Sequence, residues 1–136
     1  MNTEEKLPEG WVWTTLGEIR FDLAKGIVPS NFPEQFFELY SVPSFDLGIP
    51  QILQGKDIKS NKQIVDSNTV LLCKINPRLN RAWIVGNFSA HTKIASTEWL
   101  PFFNVPMIVP MYLCYHLRQN FVRDYFAANA SGLVVL

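Results

Sequence analysis

Residues 68–85 read NTVLLCKINPRLNRAWIV, two apolar runs either side of an Asn-Pro break. The run VLLCKI has the length of a strand, shows no polar alternation and is bounded by breakers. That pattern predicts a strand buried on both faces. RAWIVGNF reads as the next strand and NPRLN as the connection, so the pair is expected to form a hairpin. Cations crowd its tip: Lys74, Arg78 and Arg81, with the amides of Asn76 and Asn80 among them. Guanidinium groups projected by a stiff Asn-Pro turn suit phosphate oxygens or guanine edges. The two amides suit adenine or sugar-phosphate oxygens. Charge at a loop tip also simply solvates a turn, and the hairpin alone does not choose between these readings.

Composition narrows the choice. The chain has 136 residues, 48% hydrophobic and 18% charged, which fits one folded domain with one core. Lys plus Arg is 12 and Asp plus Glu is 12, for a formal net charge of zero. Phosphate neutralisation supplies most nucleic-acid affinity, so neutrality argues against DNA binding by this chain acting alone. It says nothing against a chain working inside a larger, basic complex. Cys73 and Cys114 sit in apolar surroundings, VLLCKI and MYLCYHL, as buried, reduced thiols do. No CxxC pair or Cys/His cluster points to a metal, and His91 and His116 lack partners at ligand spacing. No GxSxG, Walker or GxGxxG motif is present. Catalysis by this chain and a bound cofactor are therefore not expected. The opening MNTEEKLPEG is polar and acidic, unlike a signal peptide, and no apolar run reaches membrane-span length. A cytoplasmic location is the expectation.

Along the chain, Thr15 and Glu18 have capping-box spacing and predict a short helix. Residues 21–32 read as loop. QFFELYSV reads as a strand cut off by Pro43, and the stretch from Pro43 to Val65 as irregular, with short strands at most. DSNT is turn chemistry. TKIAS and EWLPFF read as strands, the latter at an edge or ending early because Pro101 cannot donate to a ladder. After Pro110, Leu113, Leu117, Phe121 and Tyr125 recur every four residues and predict a helix, with Arg118 and Arg123 on its wet face. Further polar positions stand near predicted strand ends or in loops: Lys93, Ser96 and Thr97, then Lys25, Ser30 and Asn31, and Lys56, Lys59 and Lys62. Several basic loops on a β framework suit groove reading by loops rather than by one helix.

Four blocks in order resemble the target-recognition domain of the specificity subunit of type I restriction-modification enzymes. They are LPEGWVWTTLGEI at 7–19, NTVLLCKINPRLNRAWIV at 68–85, ASTEWLPF at 95–102 and YLCYHLRQNFVRDYFAANASG at 112–132, with ELYSVPSF at 38–45 similar to the family's first strand. The resemblance implies an α+β fold: a small, irregular, mostly antiparallel sheet with a short N-terminal helix and a longer C-terminal helix. It implies sequence-specific recognition of one half-site in double-stranded DNA, without catalysis. The implied partners are DNA and the methyltransferase (modification) and restriction subunits of the same system. It favours Lys74, Asn76, Arg78 and Arg81 as DNA contacts first, with Asn80 in the same turn, then Lys93, Ser96 and Thr97, with phosphate positioning expected more often than base reading. Lys25, Ser30 and Asn31, in a variable loop outside these blocks, are lesser candidates for reading bases. The departure is at the end: one recognition domain over 1–136, stopping before the family's spacer helix and second domain. The apolar LVVL at 133–136 is then expected to be exposed and to favour self-association. Two rival readings stand: a protein-interaction fragment that docks a methyltransferase subunit or another specificity chain with little DNA affinity, and a small stand-alone enzyme.

Overall fold

A computed structural model describes residues 24–75, 81–103 and 109–118. In chain order the elements are β1 Gly26–Ile27, β2 Phe36–Tyr40, α1 Val42–Leu47, β3 Gln51–Gln54, β4 Lys62–Ile64, β5 Val70–Cys73, β6 Ala82–Ile84, β7 Thr92–Ser96, β8 Trp99–Phe102 and α2 Pro110–Leu117. Single 3-10 turns lie at Pro29–Asn31 and Gly55–Asp57. The fold is α+β, as expected.

The strands form two sheets where the sequence predicts one. The large sheet runs β1-β4-β7-β2-β3 and the small one β6-β5-β8. All pairs are antiparallel except β2 with β7, which run parallel in the register Phe37↔Thr92 to Tyr40↔Ala95. β5, the apolar run that opens the argument, is the middle strand of the small sheet, and all four of its residues are buried. Alternation explains why no polar residue is tolerated there. Leu71 and Cys73 point into a layer shared with Tyr40 and Ala95 of the large sheet, together with Val85 and Trp99. Val70 and Leu72 point the other way, against Leu113, Cys114 and Leu117 of α2. The small sheet is thus covered on one side by the large sheet and on the other by a helix. The outer face of the large sheet packs Phe37, Leu39 and Ile94 against Ile58. β8 is an edge strand, and Pro101 sits in it opposite Leu71, where a missing N–H is harmless if it faces away from β5.

One helix falls where the sequence reads as irregular. Pro43 does not merely end the preceding strand. It occupies the first turn of α1, and Ser41 and Ser44 cap the start reciprocally: Ser44 N donates to Ser41 Oγ at 3.1 Å and Ser41 N to Ser44 Oγ at 3.0 Å. Gly48 closes the helix in the left-handed region, φ 78°, where a side chain is disfavoured. The usual capping box carries Glu or Gln at its third position. A serine there hides the signal. At the other end of the chain, α2 begins at Pro110 as expected, with Leu113 and Leu117 buried. The predicted turn at 66–69 also forms: Thr69 N donates to Asp66 O at 3.1 Å, and Asn68 takes φ 71°. The helix predicted around Thr15–Glu18 and the continuation of the C-terminal helix predicted beyond 118 lie outside the described residues.

Candidate functional site

Both sheets deliver a turn to the same end of the molecule. β7 enters a tight turn at 96–99 and leaves as β8, so the chain passes here from the large sheet to the small one. Gln63 of β4 holds it. Its Nε2 donates to Ser96 O at 2.9 Å and to Trp99 O at 2.7 Å, spanning Thr97 and Glu98. Glu98 N donates to Ser96 Oγ at 3.4 Å. The mouth of the β5–β6 hairpin docks on the turn, with Lys74 N donating to Glu98 O at 2.9 Å. Arg81 closes that mouth: Cys73 N donates to its carbonyl at 3.0 Å, and its guanidinium Nη2 donates to Ile75 O at 3.0 Å. Lys62, opposite Ser96 in the β4–β7 register, completes the group. Partial burial lowers the Lys62 pKa against the opposing pull of the Glu98 carboxylate, and the ammonium donates to Ser60 O at 3.3 Å. Thr97 and Glu98 are exposed, Lys62, Lys74, Arg81 and Ser96 half-buried.

The expected contact residues therefore divide. Lys74, Arg81, Ser96 and Thr97 come together at this end. Lys25 is exposed on the outer edge, its carbonyl accepting from Ile64 N at 2.8 Å, at the other end of β4 from Lys62. Ser30 and Asn31 form part of a 3-10 turn packed near Gly55. Lys93 stands three residues before Ser96 on β7, about 10 Å away at strand rise, and its ammonium turns inward. It lies 3.8 Å from Glu38 Oε1 and donates to Ser89 O at 3.1 Å. Asn76, Arg78 and Asn80 lie outside the described residues.

Sequence reasoning missed three things. Gln63 gave no signal, being one glutamine in a polar stretch. Glu98 stood in the block ASTEWLPF without a role. Glu38 had a signal, a carboxylate inside FFELY, a run otherwise apolar or aromatic. The structure buries it fully, receiving hydrogen bonds from the Tyr40 hydroxyl and from Ser89 Oγ at 2.6 Å. Burial alone would raise its pKa. The Ser89 and Tyr40 hydroxyls, the Lys93 charge and the Phe88 backbone outweigh that and hold the carboxyl below its usual range. Burial and the adjacent carboxylate in turn push the Tyr40 hydroxyl far up, so it keeps its proton. Tyr40 Oη accepts from Gly86 N at 3.1 Å, tying this network to the segment that follows β6. The network joins strands and loops inside the protein and stands apart from the exposed end. Among the described residues no group of three or more His, Cys, Asp or Glu is placed to hold a metal ion, and no helix is long and apolar enough to cross a membrane.

Comparison with known proteins places this geometry. No family model matches the chain, and no curated protein matches it in sequence. Solved structures do match. The HsdS subunit from Thermoanaerobacter tengcongensis superposes with a TM-score of 0.74 at 22% identity, over 90% of this chain and 32% of that one. A structure describing complex assembly and conformational transition of the type I R-M system gives 0.75 at 22% identity, over 91% and 33%. The chain spans about a third of the length of each. Its fold is that of a recognition domain in HsdS, the specificity subunit of type I restriction-modification systems.

Proposed function

We propose that this chain, built on the HsdS recognition-domain fold, is a non-catalytic DNA-recognition component of a type I restriction-modification complex and reads one half-site of double-stranded DNA. The observation that carries the reading is the meeting of Lys62, Lys74 and Arg81 with the 96–99 turn at one end of a rigid two-sheet framework, in a fold shared with HsdS. Backbone hydrogen bonds and Gln63 fix the lip of that surface before any ligand arrives, which lowers the ordering cost of binding. The cations there, with Arg78 in the same hairpin, would lie along phosphates, and Ser96 and Thr97 add hydroxyl donors. DNA, methyltransferase subunits and restriction subunits are the partners this reading calls for. The chain as a whole would form a single recognition domain.

The test is DNA binding as a function of salt. Each phosphate contact contributes about 0.9 to the slope of log affinity against log salt. Replacing Arg78 and Arg81 together with alanine is expected to flatten the slope by about 1.8 if both touch phosphate. An unchanged slope removes both from the interface. A second reading, a docking fragment that meets protein rather than DNA, is favoured by the zero net charge and by the inward turn of Lys93. It requires wild-type binding to duplex DNA to be absent at low salt.

A further inference from the structure

Glu98 is out of place on a phosphate-binding surface. It is exposed at the tip of the 96–99 turn, where its charge reaches Lys62 and its carbonyl accepts from Lys74 N at 2.9 Å. Its carboxylate forms no salt bridge or hydrogen bond among the described residues; only its backbone is engaged, through N to Ser96 Oγ and O to Lys74 N. Nor is it free to swing away with a floppy loop. Gln63 grips the carbonyls on both sides of it at 2.9 and 2.7 Å. A carboxylate carried on a held turn beside Lys62 repels the phosphates that this cation attracts. Beyond the pull of Lys62 it gains from a hydrogen-bond donor on the duplex, and the donors on the major-groove edge are the exocyclic amino groups of cytosine and adenine. Adenine sets an acceptor, N7, beside its amino group, which suits an amide rather than a carboxylate. Cytosine presents N4 as a donor with no acceptor on its own edge.

We infer that Glu98 is a specificity-determining residue that accepts a hydrogen bond from cytosine N4, with Gln63 positioning the turn that carries it. This rests on the DNA-recognition reading and goes beyond it by assigning the base and the atom.

The experiment selects bound duplexes from a randomised pool, using the full chain as wild type and as E98Q, and sequences what is retained. Thermal melts of both proteins accompany it; an exposed side chain is not expected to alter them. Wild type is expected to enrich a motif with cytosine at one position. E98Q, whose amide suits adenine, is expected to lose that cytosine by roughly ten- to a hundredfold in relative enrichment and shift toward adenine there, the other positions holding. An identical motif from both proteins, or a wild-type motif with no required cytosine, overturns the inference and leaves DNA recognition standing. Absence of salt-dependent wild-type binding to any duplex overturns the recognition reading, and the Glu98 assignment falls with it.

Discussion

Glu38 is the residue on which this architecture takes its largest electrostatic risk. A fully buried carboxylate is costly unless charge and hydrogen bonds compensate it. Here Ser89, Tyr40 and Lys93 supply the compensation, from β2, from β7 and from the segment between β6 and β7. The consequence is a definite pH dependence. Because the folded pKa lies below the ordinary value of 4.5, the unfolded chain takes up this proton first as pH falls. The stabilisation is complete above the ordinary carboxylate range and is lost as pH drops through the lower, folded pKa. Urea midpoints measured from pH 7 to pH 3 are expected to fall more steeply for wild type than for E38Q. Parallel curves would mean that Glu38 is not ionised in the fold. A carboxylate among aromatic residues in FFELY was visible in the sequence. Its partners were not, because Ser89 and Lys93 are more than fifty residues away and hydroxyl pairing leaves no periodic trace.

At the scale of elements, what could be read depended on whether the local signal and the packing agreed. β5 was legible because a strand covered on both faces must be apolar throughout, and α2 because a proline start and an i, i+4 stripe coincide. α1 was illegible because its cap uses serine where glutamate is the usual sign. The large sheet was only half legible. Its strands are three to five residues long apart from the two-residue β1, and short strands carry too little alternation to reveal which partner they take. One element junction makes a sharp prediction. The two 3-10 turns cross at Gly55, where an added Cβ would stand 2.2 Å from the carbonyl oxygens of both Pro29 and Phe32. Backbone atoms cannot yield as a side-chain tip does. Gly55→Ala is therefore expected to cost about 3 kcal/mol or more in denaturant unfolding, as overpacking against a fixed neighbour does. A loss below about 0.5 kcal/mol would show that the turns separate easily. The candidate site was legible in the same uneven way. The cationic hairpin announced itself, whereas the turn that it docks on depends on a contact between β4 and the β7–β8 turn that no local pattern encodes.

Across the whole molecule, the two thiols report on two different layers. Cys73 lies between the sheets and Cys114 between the small sheet and α2, and burial pushes both thiols above their usual pKa. Thiolate is the reactive form, so both are expected to resist a thiol reagent at pH 8 and to react together, at the rate of global unfolding. Reaction of Cys114 well ahead of Cys73 would show that α2 detaches on its own. The parallel pairing of β2 with β7 also dictates an order of assembly. β2 leaves the ribosome some fifty residues before its mate, and β4, which bonds only to β1 and β7 within its sheet, has just the two-residue β1 to pair with until that mate arrives. A nascent chain halted before Thr92 therefore holds Phe37 and Leu39 half-sheltered and lacks the central strand of its larger sheet. The growing polypeptide has to remain shielded from its neighbours until Thr92–Ser96 has emerged.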